Sequence, residues 1–158
     1  MKIAVIGTGY VGLVSGAGLA ELGHEVICID IDQDKLARLR AGDIPIYEQG
    51  LEELVHTHMV ANRLSFTASY EEALQGARAV MIAVGTPPNA DGSANMNYID
   101  QACESCAPFL RDGMLVIVKS TVPVGTNDRV LQRLTSLTSA AFEVASNPEM
   151  LREGVAVN

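Results

Sequence analysis

Basic side chains are scarce in this sequence. Its 158 residues contain 11 Lys and Arg against 19 Asp and Glu, which gives a formal net charge of −8. Proteins that bind nucleic acid need clustered Lys and Arg, so this balance argues against nucleic acid as the main partner. It does not exclude a nucleotide ligand, because a helix N-terminus and backbone amides hold phosphate groups without a basic surface.

Long apolar runs and a signal-peptide pattern are also missing. No hydrophobic stretch approaches the roughly 20 residues that are needed to cross a bilayer. The first residues lead directly into an apolar strand, without the pattern of a secretory signal. We therefore expect no membrane partner and a cytoplasmic location. With 48% hydrophobic and 19% charged residues, the chain is long enough for one globular domain with its own core.

Cysteine is limited to Cys28, Cys103 and Cys106, an odd number that favours free thiols. The last two form a C-x-x-C pair, which is compatible with a redox pair or half a zinc site. There is no second such pair, and both thiols fall on the apolar face of a predicted helix, so we interpret them as core residues. His56 and His58 are two apart on another predicted helix and point to different faces, so we predict no metal site.

The most informative stretch is GTGYVG at residues 7–12, which follows the apolar strand 2–6 and opens into a predicted helix over 11–22. Its spacing is that of the dinucleotide-binding fingerprint. Gly7 permits the tight turn, Gly9 lets the backbone approach a pyrophosphate, and Gly12 lets the helix pack closely on the sheet. The free N–H groups of the helix N-terminus then attract the phosphates.

A second apolar strand, 25–29, ends at Asp30, which lies 18 residues after Gly12. This is close to the spacing expected for a carboxylate that binds the ribose hydroxyls. We predict NAD rather than NADP, because a 2′-phosphate would meet a like charge with no arginine at the strand end. Asp32 is a good N-cap for the next helix. Lys35 then lies either near the ribose or on the solvated surface, and the spacing alone leaves both open.

The rest of the chain alternates strands and helices. We predict further strands at 64–67, 79–84, 114–118 and 142–145, and helices at 51–60, 70–74, 98–110 and up to about 137. This alternation predicts right-handed crossovers and a parallel sheet. The expected fold is therefore a Rossmann-type, doubly wound α/β domain, with six strands in the order 3-2-1-4-5-6 and helices on both faces.

Four unusual loops each follow the predicted carboxyl end of a strand: GTGYVG, GTPP at 85–88, STVPVGT at 120–126 and SNPEMLREG at 146–154. In an open parallel sheet these ends line a single crevice, where ligands bind. Each loop by itself is compatible with simple turn chemistry. Four of them at one edge favour a binding site.

At these loops the sequence resembles the UDP-glucose 6-dehydrogenase family, among the UDP-glucose/GDP-mannose dehydrogenases, and the resemblance covers essentially the whole chain. The stretch IPIYE at 44–48 belongs to the same pattern, and the loops at 120–126 and 147–154 are its most specific parts. One departure is Gln49, where the family usually has proline. It puts the rigidity of that loop in doubt.

The resemblance implies a two-step oxidation in which a sugar C6 alcohol becomes a carboxylate and two NAD⁺ are reduced. Thr121 and Glu153 would be the catalytic residues, helping to position a water that hydrolyses a thioester intermediate. The glycine motif and the resemblance together give these cofactor-binding residues: Gly7, Gly9, Tyr10, Val11, Gly12, Asp30, Lys35, Gly85, Thr86, Thr121 and Glu153. The substrate would be bordered by Glu149, Met150, Leu151, Arg152 and Glu153.

We expect residues 1–158 to form one NAD-binding domain, the N-terminal part of a longer enzyme. In the family the nucleophilic cysteine, its partner lysine and the substrate domains lie further along the chain. The substrate would be UDP-glucose or a related nucleotide sugar, and the full-length enzyme a homodimer. Two alternatives stay open: a dehydrogenase for GDP-mannose or a UDP-amino sugar, and a non-catalytic NAD-binding module.

Overall fold

A computed structural model of the chain describes residues 1–157. The strands are β1 (Lys2–Ile6), β2 (Glu25–Ile29), β3 (Leu64–Thr67), β4 (Ala79–Ile82), β5 (Met114–Val118) and β6 (Phe142–Ser146). The helices are α1 (Tyr10–Glu21), α2 (Gln33–Arg40), α3 (Leu51–Val60), α4 (Tyr70–Leu74), α5 (Asn97–Cys106) and α6 (Thr126–Leu137). None of the helices in this described part is long and apolar enough to cross a membrane.

The six strands form one sheet in the order β3-β2-β1-β4-β5-β6, and every neighbouring pair is parallel. This confirms the predicted doubly wound topology. Strand β1 lies in the middle, with Val5 opposite Cys28 of β2 and Met81 of β4. Because all strands run the same way, their carboxyl ends meet at one edge of the sheet, and the crevice between the loops after β1 and β4 lies there.

Each face of the sheet is covered by three helices. Alternate strand residues such as Val5 and Met81 pack with buried side chains of α1, α2 and α3. Their neighbours, such as Ile6 and Ile82, pack with α4, α5 and α6. The near-continuous apolar strands of the sequence therefore follow from burial on both faces.

Helix α1 packs closely on the sheet at Gly16. A Cβ atom at Gly16 would be 2.8 Å from the sulfur of Cys28 in β2, so this position has no room for a side chain. A helix with several small residues is costly in isolation, and here the close packing on β2 explains them.

Two element ends differ from the sequence prediction by two residues or more, and the others agree to within one residue. Helix α5 ends at Cys106 instead of 110 and continues as a 3₁₀ turn over Ala107–Phe109, since Pro108 supplies no N–H for the α-helical ladder. Strand β4 ends at Ile82 instead of 84. The carbonyl of Ile82 accepts from both Lys119 and Ser120, which ends the ladder at this point.

The prediction for the cysteines is confirmed. Cys28, Cys103 and Cys106 are free and fully buried, the last two in the core between the sheet and α5. Burial raises the pKa of each thiol to about 12. All three are therefore neutral at physiological pH and poor nucleophiles.

Candidate functional site

The glycine loop between β1 and α1 is built so that two of its glycines cannot be replaced. Gly7 has a φ of +99°, and a Cβ there would lie 2.6 Å from the carbonyl oxygen of Ala83. A Cβ at Gly12 would lie 2.0 Å from the carbonyl oxygen of Gly7. Gly9 differs, because a Cβ there would meet nothing within 4 Å. The protein itself requires Gly7 and Gly12, while Gly9 leaves an open approach to the backbone.

The N-terminus of α1 has unsatisfied donors at this loop. Gly9 is its N-cap, and among residues 1–157 no side chain caps the first N–H groups. Helix N-termini with such groups are ready sites for anions. An open backbone at Gly9 beside uncapped amides is what a pyrophosphate needs, so this end of the crevice fits a dinucleotide.

Asp30, at the end of β2, is tied to the glycine loop. Its Oδ2 accepts from Thr8 N at 3.0 Å, from Thr8 Oγ1 at 2.5 Å and from Lys35 Nζ at 2.8 Å. Within the described residues, its Oδ1 accepts only from Asp32 N, at 3.1 Å. Asp32 caps α2 by accepting from Lys35 N, as predicted, and so brings Lys35 back towards β2.

Burial by itself would raise the pKa of Asp30, but the hydrogen bonds from Lys35, Thr8 and Asp32 outweigh it and hold this pKa below its usual value. Asp30 is therefore an anion at neutral pH. Lys35 forms an ion pair with this carboxylate, and its side chain is 30% exposed. Although no arginine lies at the strand end, Lys35 places a cation there that the sequence-based prediction against NADP did not include.

A crevice of about 270 Å³ joins these parts. It brings together five of the predicted cofactor-binding residues, Gly7, Gly9, Asp30, Lys35 and Gly85. Its apolar walls include Ile31, which is 74% exposed, and Tyr98, which is 44% exposed. Neither wall residue was singled out from the sequence. Apolar and aromatic side chains around a small number of polar groups are typical of ligand pockets.

The loops after β4 and β5 are fastened to each other. Thr86 donates through its hydroxyl to the carbonyl oxygen of Thr121 at 2.6 Å, and Ser120 donates to the carbonyl oxygen of Val84 at 2.7 Å. A cavity of about 390 Å³ extends from Thr121 to Glu149 after β6. The structure thus places Thr86 and Thr121 together at the carboxyl edge. Ser120, which joins the two loops by this hydrogen bond, was not predicted from the sequence.

The predicted substrate segment after β6 is irregular. Leu151 packs on the core between the sheet and α1–α3, whereas Met150, Arg152 and Glu153 are exposed. The carboxylate of Glu149 accepts a hydrogen bond from the backbone N–H of Leu151, two residues further along. Within residues 1–157, no hydrogen bond joins Thr121 to Glu153.

Tyr10, the first residue of α1, lies among carboxylates. Its hydroxyl donates to Glu48 Oε2 at 2.8 Å. Burial raises the pKa of Tyr10 to about 12, helped by Glu48 and by the charges of Glu153 and Glu149. The glycine loop and the segment after β6 therefore come together at this point.

Two polar residues that hold these parts together, Thr8 and Glu48, were given no role from the sequence. Thr8 is completely buried, and Glu48 is 5% exposed. Glu48 is the only charge in the otherwise apolar stretch at 44–48, which is a signal that could have drawn attention to it. Thr8 occupies a variable position of the glycine fingerprint, so no pattern marks it.

The two histidines of α3 lie apart, as predicted. His56 Nε2 is 3.0 Å from the carbonyl oxygen of Gly42, while the buried His58 lies between Glu21 and Arg63. In the part of the chain that the structure describes, no three His, Cys, Asp or Glu side chains are grouped to hold a metal ion.

Comparison with known proteins gives a consistent result. The model of the NAD-binding domain of the UDP-glucose/GDP-mannose dehydrogenase family matches residues 1–158. UDP-glucose 6-dehydrogenase YwqF of Bacillus subtilis is 49% identical over 99% of this chain. A solved UDP-glucose dehydrogenase from Pyrobaculum islandicum is 45% identical over 99% of the chain, with a TM-score of 0.93. A ternary complex of GDP-mannose dehydrogenase from Pseudomonas aeruginosa is 34% identical over 99%, with a TM-score of 0.94.

These relatives are much longer. The chain spans 36% of the Bacillus protein and 37% and 38% of the two solved chains.

Proposed function

The chain belongs to the UDP-glucose/GDP-mannose dehydrogenase family through its NAD-binding domain, and on that basis we propose that it serves the oxidation of UDP-glucose at C6 to UDP-glucuronate. The observation that carries this is the meeting of two parts at one sheet edge. One is the crevice anchored by Asp30, and the other is the set of loops that carry Thr121 and residues 149–153. The first would hold NAD, and the second would border the sugar.

We assign the cofactor contacts as follows. The adenosine ribose would use Asp30 Oδ1, because Oδ2 already accepts three hydrogen bonds. The uncapped amides of α1 would hold the pyrophosphate, next to Gly9 and with Val11 in the first turn. Thr86 and Thr121 would border the nicotinamide end. The bound cofactor supplies the hydride acceptor, and the chain supplies binding and orientation.

We also propose that Thr121 and Glu153 position the hydrolytic water. Thr121 is exposed on a loop that Thr86 holds in place, and Glu153 is an exposed carboxylate near Tyr10. The three thiols of this chain are buried and neutral. We therefore assign the nucleophile of the covalent step to a part of the enzyme outside these 158 residues.

The same proposal covers the organisation of the enzyme. This chain would be the NAD-binding domain of a longer, homodimeric, cytoplasmic protein, and its relatives of greater length support the first part of that statement. GDP-mannose is the second candidate substrate, because the structural likeness to a GDP-mannose dehydrogenase is as high as that to a UDP-glucose dehydrogenase.

The test is an assay of the complete enzyme with UDP-glucose, UDP-N-acetyl sugars and GDP-mannose, following NADH. UDP-glucose should be oxidised best. Glu153→Gln and Thr121→Ala should each lower kcat on the order of 100-fold while the Kd for NADH changes little, as expected for groups that act on the reacting atoms. Glu143→Gln, an exposed carboxylate on β6, is the matched control.

Preferred oxidation of GDP-mannose would replace the substrate and leave the site assignment intact. Absence of activity on all nucleotide sugars would overturn both, and would favour a non-catalytic NAD-binding module.

A further inference from the structure

We propose that Glu48 is a positioning residue, whose buried carboxylate holds the segment that carries Glu153 against the cofactor-binding end of α1. This segment, residues 148–157, is called the post-β6 segment below. The inference rests on the proposed function, because it takes its importance from the role given to Glu153.

The carboxylate of Glu48 joins three parts of the chain that are distant in sequence. Its Oε2 accepts from the hydroxyl of Tyr10 at 2.8 Å and from Gly154 N at 2.7 Å. Its Oε1 accepts from Ala156 N at 2.7 Å. The two backbone donors lie 106 and 108 residues further along the chain. Glu48 therefore links the start of α1, its own loop and the post-β6 segment at one point.

Few other polar contacts hold the post-β6 segment. Its own hydrogen bonds are local, from Val155 to Arg152 and from Leu151 to Glu149. Among the described residues, every hydrogen bond from the segment to the rest of the domain ends on Glu48. The backbone of Val157 also contributes to the lowered pKa of that carboxyl, although burial opposes the effect. The remaining attachment is apolar packing by Leu151, Ala156 and Val157.

The surroundings of Glu48 require a side chain that only accepts hydrogen bonds. It is 5% exposed, and no Lys, Arg or His within residues 1–157 forms an ion pair with it. A buried carboxylate without a cation is tolerated only when hydrogen-bond donors satisfy it. An ionised carboxylate has no hydrogen to present, whereas the amide of glutamine would turn two N–H donors towards the donors already there. Glu48→Gln is therefore an isosteric change that disrupts this arrangement.

Glu48 is connected to Glu153 through the next residue in the chain. Glu153 precedes Gly154, whose N–H binds Glu48, and within the described residues the Glu153 side chain has no hydrogen bond of its own. Its position is thus set by the backbone that Glu48 fastens. Tyr10, at the start of α1, donates to the same carboxylate. Glu48 therefore fixes the position of Glu153 relative to the N-terminus of α1.

The first test uses the complete enzyme and rapid mixing with NAD and UDP-glucose. For Glu48→Gln we expect the burst of NADH that precedes hydrolysis to keep its amplitude. The steady-state kcat should fall on the order of 10- to 100-fold, as expected when a reacting group is displaced by about 1 Å. The KM for NAD should change less. Glu53→Gln, an exposed carboxylate in the first turn of α3, is the matched control and should behave as the parent enzyme.

A smaller burst in proportion to kcat would mean that fewer molecules are folded, and would overturn a positioning role. A second variant, Tyr10→Phe, removes one donor and leaves the backbone contacts of Glu48 intact. It should lower kcat less than Glu48→Gln does, and an equal or larger effect would also contradict the proposal.

A double variant shows whether Glu48 acts through Glu153. Effects that pass through one residue are not additive. Glu48→Gln combined with Glu153→Gln should therefore be no slower than Glu153→Gln alone. If the two reductions in kcat multiply, Glu48 acts by another route and the inference fails.

Hydrogen exchange of the same enzyme separates this inference from the proposed function. Glu48→Gln should raise amide exchange in residues 149–157 and leave the central strands unchanged, whatever the substrate. If the parent enzyme oxidises no nucleotide sugar, the proposed function falls, and the exchange result still decides whether Glu48 holds the segment. Unchanged exchange there would refute it.

Discussion

The carboxylate of Asp30 forms hydrogen bonds within the protein, in addition to its proposed contact with the ribose. Thr8 and Lys35 occupy its Oδ2, and this fixes the turn after β1 relative to the end of β2. Only Oδ1, which accepts from Asp32 N, keeps capacity for a further donor. A change at this residue is therefore expected to affect both the loop and the bound ribose.

Replacing Asp30 by Ala should weaken NADH binding by about 1.5–3 kcal/mol, the range for hydrogen bonds to a charged group. It should also narrow the preference for NADH over NADPH, since the like charge facing a 2′-phosphate is removed while Lys35 stays. Fluorescence titration with both cofactors measures this, and Asp34→Ala, exposed in the first turn of α2, is the control. Tighter binding of NADPH than NADH by the unchanged chain would contradict the role given to Asp30.

The lowered pKa of Asp30 predicts that the stability of the fold depends on pH. Because the pKa of Asp30 is lowered in the folded chain, its contacts stabilise the fold fully above the usual Asp value of about 3.9. This contribution is lost as the pH falls further, through the lowered folded pKa. Urea unfolding should show Asp30→Asn to be less stable than the parent by about 1–3 kcal/mol at pH 7. That difference should shrink below about pH 4. A difference that stays constant, or that Asp34→Asn reproduces, would speak against this account.

Among the contacts between secondary-structure elements, the close packing of α1 on β2 gives a specific test of the fold. Gly16→Ala places a methyl group against the sulfur of Cys28, at 2.8 Å before any relaxation. We expect a loss of about 1–3 kcal/mol in the free energy of unfolding, the usual range for overpacking. Thermal and urea unfolding measure it.

Two further variants make this prediction specific. Adding Cys28→Ala to Gly16→Ala should recover part of the loss, because the clashing sulfur is gone and neighbouring changes are not additive. Gly18→Ala, on the same helix with nothing within 4 Å of its Cβ, should be neutral or stabilising by about 0.5–1 kcal/mol. If Gly16→Ala and Gly18→Ala behave alike, the close packing of α1 on β2 is not what makes Gly16 necessary.

The elements themselves could be predicted from the sequence because their signals are local. Short apolar runs mark the strands, and Asp32, the N-cap of α2, marks the start of that helix. Strand ends were less predictable: β4 ends at Ile82 because of donors from residues 119 and 120, which no local pattern contains. The site divides the same way. Asp30 follows from spacing, whereas Thr8 and Glu48 depend on partners 22 and more than 100 residues away.

For the whole molecule, we expect the 158-residue chain to bind NADH and to oxidise no nucleotide sugar alone. The residues that line the crevice at the end of β1 all belong to this domain, and the three thiols of the chain are buried in the core. NADH at about 100 times its Kd should raise the free energy of unfolding by about 2.7 kcal/mol. Calorimetry with and without NADH measures this, with Asp30→Ala as a weaker-binding control. Turnover of UDP-glucose by the isolated chain would contradict the assignment of the nucleophile elsewhere.

The central place of β1 also has a consequence for synthesis on the ribosome. Of the six strands of this sheet, β1 is synthesised first, and it needs β2 on one side and β4 on the other, yet β4 ends only at Ile82. A nascent chain that has completed β1, β2 and β3 therefore exposes one edge of β1, an unpaired apolar strand that can pair wrongly. That edge is covered only when β4 is released. Pauses in translation before that point should increase aggregation more than pauses after it.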